Sequence, residues 1–426
     1  MSDAPHAFLL RLWQAAIGAV SVGPRFEGFL PPRGNGRVVV VGAGKAAAAM
    51  AVAAAAHYGP AAQGVVVTRI GHGLKPGESA GAIRIIEARH PVPDAAGLEA
   101  GKAILAAVRG LDRDDLVLCL ISGGGSALLE HPLPGIALDD IAAVNRALLA
   151  SGAAIGEMNC VRKHLSAIKG GRLALAAAPA RIVTLAISDV PGDDPSTIAS
   201  GPTVADPTTM AQARDILRRH AIDLPPAAAR VLDDPLYETP KPADPRLRHA
   251  EYRLVATQAD ALRAAAQLAR AEGYAVIDRG TRVEGEAREV AVEEGNLARR
   301  SAESANGTLI LGGGELTVTL EGEGTGGPNR EFALALALAL KGHPRIHALA
   351  ADTDGIDGTS DGAGAIVAPD TLQRAAARGL DPAAALAAHD SGGFFTRLGD
   401  ALVTGPTRTN VSDFRAILVR ARDGAG

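Results

Sequence analysis

The sequence predicts an α/β protein of about two domains. Short runs rich in Val, Ile and Leu alternate along the chain with helical stretches, which is typical of a parallel sheet covered by helices on both faces. The length of 426 residues fits two domains of about 100–200 residues each. Hydrophobic residues make up 47% of the chain and charged residues 21%, which excludes wholesale disorder.

The individual elements follow from local pattern. The N-terminal stretch carries Arg11 and Gln14 among apolar residues, which predicts an amphipathic helix rather than a signal peptide. Each predicted strand is a short apolar run, and each further helix is a longer stretch without turn residues. The predicted strands are 37–41, 64–68, 116–121, 181–188, 252–256, 274–277, 308–311, 316–320 and 346–351. The predicted helices are 45–57, 96–109, 138–150, 259–272, 286–305 and 329–341.

A proline-rich segment near residues 220–250 is predicted to separate the domains. It holds six prolines and mixed charge with no sustained apolar period, so we expect a linker or a surface excursion. The expected domains are 1–235 and 236–426.

Composition limits the partners and the compartment. A net charge of −4 gives no basic footprint for nucleic acid or for a membrane surface. The longest apolar run, 46–56, is too short for a bilayer span of about 20 residues. Two cysteines, Cys119 and Cys160, cannot form a disulfide scaffold or a zinc site, so we expect a cytoplasmic protein.

The first glycine-rich turn follows the strand 37–41. The spacing from Gly42 through Gly44 to Ala47 matches the dinucleotide fingerprint, and the following helix start offers N–H groups to an anion. A purely structural strand–helix turn explains the same glycines. Lys45 favours a functional site, because a cation at a helix N-terminus opposes the helix dipole unless an anion lies nearby.

Two further glycine runs follow later strands. In the loop 122–126, three consecutive glycines flanked by serines allow successive N–H groups to converge on one anion, and the entropy that three glycines lose on folding makes a plain turn a poor explanation. The run 312–314 is followed directly by Glu315. Its continuation alternates like a strand, which indicates a hairpin rather than a helix start.

Acidic side chains lie at the ends of two predicted strands. Asp189 follows the strand 181–188, at the edge where α/β folds place their ligands, and is the candidate general base. At least one of Asp193 and Asp194 is expected to be a turn or cap residue. Asp354 belongs to a group of four aspartates in 352–361, which fits either a Mg²⁺ site or a loop of Asx turns.

Two segments carry basic residues of open role. Lys163 and His164 lie on a helical stretch that forms either a solvated basic face or a phosphate-facing patch. Arg330 follows Asn329 at a Gly-rich helix start, where a cation is unfavourable unless an anion lies there. The sequence contains no P-loop and no protein-kinase motif set, so any phosphoryl transfer uses other loops.

Taken in order, eight motifs resemble the class II glycerate kinases of the MOFRL family, whose members were often labelled hydroxypyruvate reductases. The motifs are VVGAGKAAAAMA, RHPVPDAAG, ISGGGSALL, VRKHLSAIKGGRLA, SDVPGDDPSTIASGPT, GGGE, DTDGIDGTSDGAGA and GPTRTNVSDF, and the resemblance covers the chain from about residue 9 to residue 414. Many members carry an arginine at the position of Pro328, whereas Arg330 stands two residues later here. Arg408 is a further departure, adding a charge near a substrate loop.

The resemblance implies a fold and a reaction. The fold is a Rossmann-like N-terminal domain with a parallel sheet and a smaller α/β C-terminal domain, with the active site in the interdomain cleft. The reaction is the ATP-dependent, Mg²⁺-assisted phosphorylation of D-glycerate to 2-phosphoglycerate. The expected molecule is a cytoplasmic monomer or homodimer that binds these small molecules and neither nucleic acid nor membrane.

The resemblance and the motifs together give a hypothesis for the site residues. The catalytic candidates are Lys45, Asp189 and Arg330. The candidates for nucleotide or phosphate binding are Gly44, Ser122, Gly123, Gly124, Gly125, Ser126, Glu315 and Asn329. The substrate-binding candidates are Lys163, His164 and Asn410, and the metal-ligand candidates are Asp189 and Asp354.

Two other classes of function stay open from the sequence. An NADP-dependent hydroxypyruvate reductase is suggested by the first glycine turn together with Arg69, which could face a 2′-phosphate. A non-catalytic sensor of sugar acids or nucleotides could use the same loops.

Overall fold

The computed structural model describes residues 5–90, 92–320, 322, 324–359 and 361–422. The chain forms two compact units: a first unit of Val22–Val255, and a second unit of Met1–Ser21 with Ala256–Gly426. The sequence boundary at 235/236 differs from this division for two physical reasons. The strand that follows it continues the sheet of the first unit, and the N-terminal helix packs within the second unit.

The first unit is built on a six-stranded sheet. Its strand order is β3-β2-β1-β4-β5-β6, which is the order of the dinucleotide-binding fold, and the pairs among β1 to β5 are parallel. Every residue of β1 and β4 is buried, as expected for central strands covered on both faces. This confirms the predicted Rossmann-like parallel sheet. The strands are β1 Val38–Ala43, β2 Ala62–Arg69, β3 Ala82–Ala88, β4 Leu116–Ile121, β5 Arg181–Ile187 and β6 Ala250–Ala256.

Helices cover this sheet and add a second small core. Numbering α1 as the N-terminal helix Pro5–Val20, those of the first unit are α2 Pro24–Glu27, α3 Ala47–Tyr58, α4 Ala95–Val108, α5 Gly125–Leu128, α6 Leu138–Ala150, α7 Ile155–Leu165, α8 Arg172–Ala177, α9 Met210–Arg219 and α10 Pro226–Asp233. The side chains of α4 and α8 pack on the sheet, whereas α6, α7, α9 and α10 pack on one another. The proline-rich segment is therefore part of the first unit. Its Val231 and Leu232 are buried in the helical core, where a linker would be solvated.

The second unit has a mixed sheet. The order is β13-β12-β11-β14-β9-β7, in which only β7 and β9 pair in parallel, and β8 pairs with β10 separately. The strands are β7 Ala275–Asp278, β8 Glu284–Glu286, β9 Thr308–Gly312, β10 Glu315–Thr317, β11 Ile346–Asp352, β12 Gly364–Val367, β13 Ala401–Leu402 and β14 Asp413–Val419. The helices are α1, α11 Gln258–Ala271, α12 Ala287–Ser301, α13 Pro328–Leu340, α14 Thr371–Ala377, α15 Pro382–Ala387 and α16 Ser391–Leu398.

The hairpin prediction around residues 312–320 is wrong. The segment after the glycines is a strand, but β10 pairs with β8 and not with β9. Gly314 explains the change of direction: its φ is +99°, and a Cβ there would lie 2.0 Å from the Val283 carbonyl oxygen. The backbone at this point turns away from the large sheet and onto β8.

The N-terminal helix has an apolar face that is used within the second unit. Among the described residues, the stretch Pro5–Glu27 is long and apolar enough to pass as a membrane span by length and composition, a test that core helices also pass. Leu9, Leu12 and Trp13 are buried, and the ring of Phe8 stacks on Tyr274 at 5.0 Å. Packing against α11 thus accounts for the apolar face of α1.

Candidate active site

The first glycine turn connects β1 to α3 and is held tightly. Gly44 has a φ of +134°, and a Cβ there would lie 2.2 Å from the Ser122 hydroxyl, so only glycine fits. All four N–H groups of the turn donate within the first unit. Gly44 donates to the Val67 carbonyl (3.1 Å), Lys45 to Gly123 (2.9 Å), Ala46 to the Ser122 Oγ (2.9 Å) and Ala47 to Gly44 (3.1 Å). These four amides are therefore all engaged within the protein, and the role of Gly44 in nucleotide or phosphate binding stays a prediction.

Ser122 locks the first two glycine loops together. Its side chain is fully buried, its Oγ accepts from Ala46, and its own N–H donates to the Ala43 carbonyl at 3.1 Å. The hydroxyl therefore has a structural role as an acceptor, and its predicted contact with phosphate stays a prediction. The physical reason for the structural role is that two adjacent strand ends need a polar group between them to satisfy a buried helix-start amide.

The second glycine loop leads from β4 into the short helix α5. Gly124 has a φ of +80°, and a Cβ on Gly125 would lie 2.7 Å from that of Ala199, so backbone conformation and packing both call for glycine. The N–H groups of Gly123 and Gly124 donate no hydrogen bond within the part of the chain that the structure describes. Ser126 is half-buried, and its hydroxyl accepts from Ser200 at 3.0 Å. The loop retains the amides that an anion would need.

The Lys45 side chain runs across this second loop. Its Cγ would lie 3.6 Å from a Cβ on Gly124, and the residue is 9% exposed. The His90 ring lies on the same glycine, 3.1 Å from that Cβ position. Sequence reasoning did not single out His90, although it belongs to the quoted motif RHPVPDAAG. Lys45, Gly124 and His90 thus converge on one point at the strand ends.

Asp189 lies at the same edge of the sheet. It follows β5, which pairs in parallel with β4, and it is half-buried. Asp194 is a turn residue, as expected for one of the pair: it accepts from the Ser196 amide (3.0 Å) and from the Thr197 hydroxyl (2.9 Å). Burial alone would raise the pKa of Asp194, but these hydrogen bonds lower it.

Lys163 and His164 lie in a buried polar network. The Lys163 ammonium donates to Asp206 at 2.6 Å, with both side chains at most 5% exposed. His164 is fully buried, 2.9 Å from the Glu238 carboxylate, and burial lowers its pKa. The sequence offered a solvated face or a phosphate patch. In the structure both side chains are buried on α7, where Lys163 bonds Asp206 in the loop before α9 and His164 bonds Glu238.

In the second unit, Asn329 and Arg330 open helix α13. Asp357 accepts from both backbone amides, at 3.0 and 2.9 Å, and so satisfies the helix start from a distant loop. The Arg330 side chain is 2% exposed, and its Nε donates to the Gly364 carbonyl at 3.1 Å. The sequence predicted an anion at this helix start, and the Asp357 carboxylate is that anion. Asp357 was missed because nothing in its loop points to a helix 28 residues earlier.

The remaining candidates are engaged in local turns or packing. Asn329 donates to Asp413 at 2.7 Å. Asp354 accepts from the Ile356 amide at 2.7 Å, and Asn410 from the Ser412 amide at 3.1 Å, which are Asx-type turns. Glu315 is exposed at the start of β10.

No ready-made metal cage is present in the described ranges. No three His, Cys, Asp or Glu side chains there form a group that could hold a metal ion. Mg²⁺ commonly uses one or two carboxylates together with substrate phosphates, so a nucleotide-borne ion is compatible with this geometry. Asp189 is half-buried and follows β5, the strand that pairs in parallel with β4, at whose end the second glycine loop begins.

Comparisons with known proteins agree with the motif order. Residues 8–233 match a family model described as a domain of unknown function, DUF4147, and residues 308–413 match the MOFRL family. The chain is 53% identical over 418 residues to a protein of Agrobacterium vitis with the provisional name hydroxypyruvate reductase, covering 96% of this chain and 94% of that one. It is 39% identical over 411 residues to a D-glycerate 2-kinase of Thermotoga maritima, covering 95% and 96%. The crystal structure of a glycerate kinase from Thermotoga maritima superposes with a TM-score of 0.85 at 37% identity, over 97% of this chain and 99% of that one.

Proposed function

The chain belongs to the MOFRL family of glycerate 2-kinases, and we propose on that basis that it transfers the γ-phosphoryl group of ATP to the 2-hydroxyl of D-glycerate. The relatives named as glycerate kinases match nearly the whole chain, so the phosphotransferase activity is assigned to a complete fold and not to a shared fragment. Mg²⁺ as the cofactor and the cytoplasm as the location belong to the same proposal.

One observation of the site carries the proposal. In the second glycine loop, the backbone amides of Gly123 and Gly124 have no hydrogen-bond acceptor among the described residues. The Lys45 side chain crosses the same loop. Converging amides beside an ammonium group suit the charged oxygens of a phosphoryl group. Phosphoryl transfer needs mostly such positioning and charge stabilisation.

The proposed division of labour uses residues of this edge. Lys45 stabilises the negative charge of the transferring group, and the loop amides bind phosphate oxygens. Asp189 accepts the proton of the substrate hydroxyl or holds the metal ion. Mg²⁺, entering with the nucleotide, would neutralise charge on the phosphates. Arg330, Glu315, Asn329, Asp354 and Asn410 stay predicted contributors from the second unit.

The reductase alternative loses its main support at the first glycine turn. A dinucleotide fingerprint binds pyrophosphate through the amides at the start of its helix. Here the amides from Gly44 to Ala47 all donate to protein oxygens. The reductase activity in the name of the Agrobacterium vitis protein therefore finds no matching anion site in this turn of the present chain.

A two-arm assay tests the function. The purified protein is given ATP, MgCl₂ and D-glycerate in one arm, and NADPH or NADH with hydroxypyruvate in the other. We expect ADP formation that depends on glycerate, with ³¹P–¹³C NMR placing phosphate on carbon 2. Pyridine nucleotide oxidation without ADP formation would reverse the assignment, and phosphate on carbon 3 would correct its regiochemistry.

A further inference from the structure

A pocket of about 390 Å³ lies beside the second glycine loop, wholly within the first unit. Gly124 and Ser126 border it on one side, and residues of α6 and α7 on the other. Its volume lies in the range of small-molecule sites, roughly 300–1,000 Å³. The proposed catalytic residues Lys45, Asp189 and Arg330 do not line this pocket.

The mouth of this pocket is apolar and exposed. Val92, Leu149 and Ile155 line it, and they are 64%, 62% and 59% exposed. Nine large hydrophobic residues are exposed among the described residues, and three of them meet here. Scattered exposed hydrophobic residues are ordinary, but a cluster at the rim of a concave site indicates an apolar ligand surface. Met158 extends the apolar wall inward.

The floor of the pocket is polar and already ordered. Lys169 donates to Glu130 at 2.5 Å, and the Arg162 Nε donates to the Asn145 side-chain oxygen at 2.8 Å. These four residues line the pocket together with the exposed Arg146. Apolar walls with a few fixed polar groups are the usual make-up of a small-molecule or cofactor site.

We propose that this pocket binds the purine base of the nucleotide whose phosphates lie on the second glycine loop. The inference rests on the proposed ATP-dependent reaction and adds the part of the site that selects the phosphoryl donor. Glycerate cannot be the occupant that the walls fit, because each of its three carbons carries a polar oxygen. A base linked through ribose to phosphates at Gly123 and Gly124 places its apolar faces against Leu149, Ile155 and Met158.

Ala142→Trp tests the proposal by filling the pocket. Ala142 lines it and is half-buried on α6, whereas the adjacent, equally half-buried Ala143 does not line it, so Ala143→Trp is the matched control. Binding of ADP and of inorganic tripolyphosphate is measured by calorimetry. We expect Ala142→Trp to weaken ADP binding about tenfold or more relative to the control, because it removes the apolar contact of the base. Tripolyphosphate, which has no base, should bind both variants alike.

A second variant covers the case in which a tryptophan distorts α6. Leu149→Ser/Ile155→Ser keeps the fold because both side chains are exposed, and Leu236→Ser, at an 89% exposed position elsewhere, is its control. The double variant should raise the KM for ATP several-fold and leave the KM for glycerate unchanged. Unchanged ADP affinity in both pocket variants, or equal loss of ADP and tripolyphosphate, would overturn the proposal. A change in the oligomeric state of the double variant, with unchanged ADP affinity, would also overturn the proposal. The apolar rim would then be the contact surface for a second copy of the chain.

The two hypotheses can fail separately. Wild-type protein that binds ADP but shows no glycerate-dependent turnover contradicts the proposed function and leaves the base pocket standing. Wild-type turnover with ATP, combined with wild-type ADP affinity in the pocket variants, contradicts the base pocket alone.

Discussion

Lys45 is the residue whose chemistry can be tested most directly. We expect Lys45→Ala to lower kcat about 10²–10³-fold, the usual cost of removing one preorganised charge partner in a transition state. The substitution leaves the Lys45 backbone amide bonded to the Gly123 carbonyl, so we expect the variant to stay folded, and thermal unfolding checks this. Lys75→Ala, at an exposed position, is the control. Activity of the Lys45 variant close to that of the control would remove Lys45 from the mechanism.

Gly124 has a positive φ and also lies at the proposed phosphate site. Gly110, which has a similar φ but lies elsewhere, serves as a control that distinguishes the two effects. Gly124 and Gly110 have φ values of +80° and +67°, but a Cβ on Gly110 meets nothing within 4 Å. We expect alanine at either position to cost about 1–2 kcal/mol in the free energy of unfolding. Only Gly124→Ala should also weaken ADP binding, since its methyl group covers the amides of the loop. Equal ADP affinity in the two variants would make the glycines purely structural.

Single residues show where sequence reasoning ends. The type of Ser122 fits both an anion contact and an interstrand hydrogen bond, and only the position of Ala46 in space decides between them. The sequence likewise allows Lys163 to lie on a basic surface. Only the structure shows that it bonds Asp206, which is 43 residues later in the chain. Residue type predicts which bonds are possible, whereas the partner depends on tertiary structure.

The starts of β1 and β4 are joined by a charged pair that the motifs did not reveal. Asp115 accepts from the Arg37 backbone amide at 2.7 Å and from its guanidinium at 2.6 Å. The Arg37 hydrogen bond lowers the pKa of Asp115 to about 2. Because the native pKa is depressed, this carboxylate contributes stability above its unfolded pKa near 4 and loses that contribution as the pH falls towards 2.

Asp115→Asn tests this pair through its pH dependence. We expect the variant to have a lower free energy of unfolding at pH 7 and a flatter decline between pH 4 and pH 2, measured by denaturant titration across that range. Asp114→Asn, at the exposed neighbouring position, should follow the wild-type curve. A variant curve parallel to wild type below pH 4 would contradict the role given to Asp115.

Elements were predictable where their pattern was local. The central strands β1, β4 and β5 lie within two residues of their expected bounds, because runs of buried apolar residues leave few alternatives. The edge strand β3, with its alternating exposure, was not foreseen. The pairing of β10 with β8 was also out of reach, because it depends on Gly314 approaching Val283 in space.

Helix α1 should matter most to the unit at the other end of the sequence. Its Arg11 bonds Glu272 at 2.7 Å, and its Val20 carbonyl accepts from the buried Thr409 hydroxyl at 2.8 Å. Deleting residues 1–21 exposes the apolar side chains of α11 on which α1 packs, so we expect the second unit to lose more than about 10 °C in Tm. Hydrogen exchange should accelerate in α11 and stay unchanged in β1 to β5. Acceleration spread evenly over both units would contradict this assignment.

The fold of the first unit was predictable from the alternation of strands and helices, whereas the expected domains 1–235 and 236–426 have other bounds than the two compact units. Prolines 240, 242 and 245 suggested a linker, yet the segment packs Thr239 at 2% exposure against His164. Proline reports backbone restriction and not solvent exposure, so composition alone cannot separate a linker from a docked loop.

The discontinuous second unit also has a consequence for how the chain is made. Helix α1 leaves the ribosome before the first unit, but α11, on which it packs, follows only after the 234 residues of that unit. At about 5–20 residues per second, that interval is roughly 12–50 s. During it the first unit can fold as a continuous piece, while the nascent helix carries Leu9, Leu12 and Trp13 uncovered. Biosynthesis therefore leaves the most apolar face of the N-terminus to be shielded by a chaperone or by transient contacts until the C-terminal half emerges.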